Sequence, residues 1–152
     1  MKKFIFTTLF MSILYVNAFS QKEYTVDKLF SEFGKEENVE RVKINGFVMT
    51  FARFFSDTKG VTGVEVCAFE NCGESVKQRF NEAIRNVKDS DYETMVSTSE
   101  GGNKTKILVK IKDNVVQELV VLSGGDDPAL VRIKGKIKKE DIQKLVNENS
   151  KK

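Results

Sequence analysis

Residues 106–137, KILVKIKDNVVQELVVLSGGDDPALVRIKGKI, decide the fold. They read as three antiparallel strands in a row: Lys106–Lys112, Val115–Leu122 and Ala129–Ile137. Apolar and polar residues alternate along the runs. The gaps between them, Asp113-Asn114 and Ser123-Gly124-Gly125-Asp126-Asp127-Pro128, hold turn-forming residue types. Working upstream, Tyr92–Thr98 is a further strand, turned into the meander by Glu100-Gly101-Gly102-Asn103. Before it, Gly73–Lys88 is a helix with an apolar stripe of Val76, Phe80, Ala83, Ile84 and Val87. Asn71-x-x-Glu74 is a capping-box variant at its start, and Asp89-Ser90-Asp91 breaks it.

The remaining elements extend this plan. Val61–Phe69 reads as a strand after the turn Ser56–Gly60. Thr25–Phe33 reads as a short helix, with Thr25 as cap, Asp27 in the first turn and Gly34 as its stop. Its apolar face is Val26, Leu29, Phe30 and Phe33. Val39–Asn45 is a short strand. Gly46–Phe55 is so apolar that helix and buried strand both fit. The spacing of Phe47, Phe51, Phe54 and Phe55 favours a helix, and core packing is the simplest use of these rings. Glu140–Val146 closes the chain as a helix, and Asn147–Lys152 frays. The order α-β-α-β-α-β-β-β-β-α predicts one α+β domain over 21–152, an antiparallel-rich sheet with a C-terminal meander and helices packed on one face.

Composition bounds the function. The 152 residues suffice for one domain, and 40% hydrophobic with 31% charged residues is the balance of a folded soluble chain. Met1–Ser20 reads as a secretory signal peptide: Lys2-Lys3, then the apolar Phe4–Val16, then Ala18-Phe19-Ser20 as the cleavage site. The apolar run is short for a membrane span and no basic stop follows it. No Cys near the cleavage point offers a lipid anchor. The expectation is export to the periplasm or beyond the cell, with no membrane span left after cleavage. Losing Lys2 and Lys3 brings the net charge from +3 close to neutrality, which does not point to nucleic acid. The chain contains no His, which excludes Ser-His-Asp and Cys-His nucleophiles and every His-bearing zinc site.

The order of elements resembles the family catalogued as domain of unknown function 4252, small secreted envelope proteins of Bacteroidetes. The resemblance runs from about Tyr24 to Leu145. It is carried by Val26-Asp27-Lys28-Leu29-Phe30, Tyr92-Glu93-Thr94-Met95, Gln117–Leu122, and Leu130–Ile137 leading into Asp141-Ile142-Gln143-Lys144-Leu145. It implies an exported protein of unknown activity and brings no catalytic residues with it. The cysteine pair is outside its pattern.

Four features bear on chemistry. Cys67 and Cys72, the only cysteines, have four residues between them; in an oxidising compartment they are disulfide candidates. A redox pair is the alternative, with Cys72 near a helix N-terminus that lowers a thiol pKa. Alternation puts Lys106, Lys110 and Lys112 on one side of their strand, and Arg132, Lys134 and Lys136 on one side of theirs. In suitable register the six form a cationic, solvent-facing patch for an anionic partner; the plain reading is a solvated sheet face. Asp126 and Asp127 supply too few ligands for calcium, so no metal is expected and the loop reads as a turn. Glu93 and Glu100 are carboxylates with nothing in the sequence to place them around a cleft, and Asn103-Lys104-Thr105 is a glycosylation sequon.

These readings converge on an exported, non-enzymatic binding protein without a cofactor. Its expected partner is an envelope protein or an anionic envelope component. A thiol-redox factor using Cys67 and Cys72, or a carrier of an apolar ligand at Phe47–Phe55, is the alternative.

Overall fold

The structure is a computed structural model and describes residues 22–40 and 61–149. The expected signal peptide, most of the expected strand at Val39–Asn45, the Phe-rich Gly46–Phe55 segment and the expected turn at Ser56–Gly60 lie outside the described residues. The elements are α1 (Val26–Phe33), β1 (Val61–Ala68), α2 (Glu74–Arg85), β2 (Glu93–Glu100), β3 (Asn103–Lys112), β4 (Val115–Ser123), β5 (Ala129–Ile137) and α3 (Lys139–Asn149). The fold is mixed α+β, one five-stranded antiparallel sheet in the order β1-β5-β4-β3-β2. The meander runs from β2 to β5, and β1 adds antiparallel beside β5.

Two tight turns set the meander's register. Glu100 pairs with Asn103 across Gly101-Gly102, at φ 55° and 84°. Lys112 pairs with Val115 across Asp113-Asn114, at φ 53° and 62°. Positive φ at both central residues is the hairpin turn that matches strand twist, and Gly, Asn and Asp tolerate it best. The β4–β5 loop is held from outside. Asn81 of α2 accepts from the Gly125 N–H at 2.9 Å and donates to the Gly125 carbonyl at 3.1 Å. A Cβ on Gly124 would sit 2.6 Å from the Asn81 Oδ1, so a side chain there would push Asn81 off its bonds to Gly125.

β4 is central and buried on both faces. Leu119, Val120, Val121 and Leu122 are all fully buried, which explains its nearly unbroken apolar run. On one face Leu108, Val120, Leu122 and Leu130 meet the stripes of α1 (Val26, Leu29, Phe30, Phe33) and α2 (Phe80, Ala83, Ile84). On the other, Ile107, Val109, Leu119, Val121, Val131 and Ile133 form a second cluster that Ile142 of α3 joins. α1 starts as expected: the Thr25 hydroxyl accepts from the Lys28 N–H at 3.3 Å, and Asp89 accepts from the Val26 N–H at 3.0 Å. α2 differs, because Gly73 is its N-cap with no side-chain cap. Asn71, expected in that role, donates to the Glu40 carboxylate instead.

The two helices meet over an aromatic cluster. Phe33 stacks edge-on against Phe80 at 5.2 Å between centroids and against Phe69 at 6.1 Å, and Phe69 lies 4.5 Å from Phe80. Phe80 is fully buried in this group. Phe80→Ala is expected to lower unfolding free energy by roughly 3–5 kcal/mol, measured by denaturant titration. A loss under about 1 kcal/mol is what a solvent-facing ring would give.

Candidate functional site

The cationic residues occupy the face that α1 and α2 cover. Register sets four of them in three cross-strand rows. Ser97, Lys106, Leu122, Leu130 and Cys67 form the first; Thr94, Leu108, Val120, Arg132 and Glu65 the second; Lys110, Glu118, Lys134 and Gly63 the third. Leu108, Val120, Leu122 and Leu130 lie among the cations, and these apolar neighbours are the sequence signal that this side is covered.

The six expected cations therefore separate. Arg132 is not solvent-facing; it is only 7% exposed beneath α1, its guanidinium 4.1 Å from the centre of the Phe30 ring. Its Nη2 lies 2.9 Å from Asp27 Oδ1 and its Nε 4.0 Å from Glu65 Oε2. The alignment is poor enough that neither nitrogen makes a hydrogen bond. Lys106 is half-buried and donates to the Arg85 carbonyl at 3.4 Å, so it caps the C-terminus of α2. Burial, and then neighbouring Lys104, lower its pKa. Lys110 donates to Asp91 at 3.3 Å, which raises its pKa, and lies 5.7 Å from the Tyr92 ring. Lys112, Lys134 and Lys136 are exposed and make no ion pair among the described residues. Tyr92 donates to Glu118 at 2.6 Å, and burial, followed by this bond, pushes its pKa well above the ordinary tyrosine range.

The cysteine expectation is corrected. Cys67 and Cys72 are both buried in the α1–α2 core cluster, apart from one another and with no disulfide between them. The Cys72 thiol donates to the Glu37 carbonyl at 3.7 Å. Burial and then the Glu36 charge push its pKa up, opposite to the direction that thiolate chemistry needs. Glu93 and Glu100 stand at opposite ends of β2, roughly 24 Å apart by strand rise, too far to share one reacting group. Among the described residues no group of three or more Cys, Asp or Glu could hold a metal ion. Among them too, no helix is long and apolar enough to cross a membrane.

Sequence reasoning missed a cleft beside α2. It has a volume of about 690 Å3 and is lined by Lys22, Tyr24, Glu32, Arg79, Glu82, Ala83, Arg85 and Asn86. The strand-like segment before α1 builds one wall: the Tyr24 N–H donates to the Asn86 carbonyl at 3.1 Å, and the Lys88 N–H to the Tyr24 carbonyl at 2.9 Å. Lys22 donates to both Glu32 oxygens at 2.9 and 3.0 Å and lies 5.0 Å from the Tyr24 ring. Arg79 is paired with Glu36. Arg85 and Glu82 make no ion pair among the described residues, so they are the charges this cleft has to spare.

Residues 30–145 match the family described as Domain of unknown function (DUF4252). The chain belongs to this family. The match covers every strand of the sheet, both helices α1 and α2 in whole or part, and most of α3. No curated protein and no solved structure matches the chain.

Two outcomes check this geometry. The Lys22 contact lowers the Glu32 pKa. Its contribution is therefore full above the ordinary glutamate value of 4.5 and is lost as pH falls through the lower folded value. Acid unfolding of Glu32→Gln should accordingly show a shallower loss of stability below that pH than the parent protein. Arg132→Met, which replaces a poorly bonded buried cation with an apolar chain, should leave stability unchanged or raise it by up to about 2 kcal/mol. A loss of about 3 kcal/mol in thermal or chemical unfolding would show that the ion pair with Asp27 outweighs desolvation.

Proposed function

We propose that this DUF4252 protein is an exported, non-enzymatic binding protein of the cell envelope, periplasmic or extracellular. It holds an anionic group of another envelope protein, or of an anionic envelope component, in the cleft between the Tyr24 segment and α2. The observation that carries this reading is the cleft's charge inventory. Lys22 and Arg79 are already neutralised by Glu32 and Glu36, while Arg85 lines the same space in no ion pair among the described residues. A guanidinium at a cleft wall is suited to a planar carboxylate or a phosphate, which it meets with two parallel hydrogen bonds. Glu82, one turn before it on α2, favours partners that carry a cation close to that anion.

The test is a crosslinking pull-down with tagged protein at native level from the envelope, run in parallel with Arg85→Glu. One stoichiometric partner in the wild-type sample, reduced roughly tenfold or more by the charge reversal, is the expected result. Equal recovery by both proteins, or no stoichiometric partner, overturns the cleft as the binding site.

A further inference from the structure

Among the described residues β2 is one free edge of the sheet, and six of its eight residues are exposed. An edge strand presents main-chain N–H and C=O groups that another chain can pair with. Folded proteins usually blunt such edges with Lys, Pro or a covering segment. Neither Lys, Arg nor Pro occurs in β2. The opposite edge is partly covered: Glu40 bridges β1 through main-chain bonds to Ala68 of 3.1 and 2.8 Å. Along β2 no described strand lies outside, and one bulge, between Thr94 and Val96, is its protection.

Two further observations say what this edge would take. Beside it lies a groove of about 350 Å3 between β2 and α3, lined by Met95, Val96, Gln143 and Asn147. Met95 and Val96 are half-buried there, leaving room for an apolar side chain from an added strand. The charge along the edge has one sign. From Asp89 to Asn103 there are four acids and no cation. Asp91 is held by Lys110, and Asp89 by the Val26 N–H and the Asp91 N–H. Glu93 and Glu100 remain exposed, one at each end of the strand. Two copies of β2 paired antiparallel about their centre would set Glu93 against Glu100 twice, so self-pairing is opposed by like charge. The strand that β2 already accepts on its inner side is of the opposite kind. β3 carries Lys104, Lys106, Lys110 and Lys112 interleaved with Ile107, Val109 and Ile111.

We propose that β2 is a docking edge that takes an extended basic segment of a partner protein as an added strand. Main-chain bonds provide the affinity, Glu93 and Glu100 select the lysines or arginines, and the Met95–Val96 groove seats an apolar side chain. The inference stands apart from the cleft reading.

The probe is a labelled peptide with the sequence of Asn103–Lys112, titrated into the purified full chain by fluorescence anisotropy. Hydrogen exchange then locates the bound site. Saturable binding with slowed exchange in Glu93–Glu100 is expected. The double variant Glu93→Lys/Glu100→Lys should bind roughly tenfold more weakly at unchanged thermal stability. The same peptide with its lysines changed to glutamate, or with proline at the Val109 position, should not bind. Arg85→Glu should bind the probe as the parent does, which separates this edge from the cleft. No binding, binding indifferent to the peptide's charge, protection elsewhere than β2, or a parent protein that is already a dimer through this edge would each overturn the proposal.

Discussion

The fold depends on β4 having no side open to water. Its two edges are paired to β3 and β5, and its two faces are buried by different clusters. Fully burying each of Leu119, Val120, Val121 and Leu122 contributes about 1.5–3 kcal/mol before chain entropy is subtracted. Because successive side chains point to opposite faces, those four residues serve both cores alternately. A slip of one residue in β4 would exchange the two clusters, so the hairpin turns on either side have to be exact in length. The Asp113-Asn114 turn and the Asn81-clamped Gly124-Gly125 loop meet that requirement by different means. One uses intrinsic backbone preference, and the other borrows hydrogen bonds from α2.

The helix-covered face grades from apolar to charged across its three rows. Leu122 and Leu130 lie in the row with Cys67, under the aromatic cluster. Glu118 joins Lys110 and Lys134 in the row at the other end. Arg132 falls in the middle row, between Val120 and Glu65, where α1 crosses. Its burial follows from that position. The α1 stripe needs Phe30 against the sheet, and a guanidinium can lie flat on a ring where an ammonium could not fill the same space. Asp27 then serves twice, in the first turn of α1 and as the outer partner of Arg132. The cost is a cation whose Nε and Nη2 lack hydrogen bonds.

Much of this was legible from residues alone. The meander, the α1 stripe with its Thr25 cap, and α2's core positions Phe80, Ala83 and Ile84 follow from periodicity and turn chemistry. So does the shared face of Lys106 and Lys110 on β3 and of Arg132 and Lys134 on β5. What periodicity cannot supply is the identity of the cover. Lys110 and Arg132 do share a face, but only the packing of α1 makes one a surface ion pair and the other a buried cation. The cysteines show the same limit. They are five positions apart in the chain and buried in the same core cluster, yet no disulfide joins them. Asn71 had the spacing of a cap, yet Glu40, distant in sequence, competes for its amide. The cleft was invisible because its walls come from residues about 60 positions apart.

A charged group already engaged by the fold is poorly placed to recognise a partner. Arg132 lies under α1, Lys106 caps α2, Lys110 is held by Asp91, and Lys22 and Arg79 hold Glu32 and Glu36. Each of these would have to give up its intramolecular partner before it could engage another molecule. The groups left over are differently distributed: Arg85 and Glu82 in the cleft, Lys112, Lys134 and Lys136 on the sheet, Glu93 and Glu100 along the free edge. Their substitution should cost little stability, since exposed charges without partners contribute little. That Arg85 and Glu82 line a cleft, and Glu93 and Glu100 flank an open strand edge, ties the physical argument for binding to particular side chains at two places among the described residues where this fold can admit another molecule.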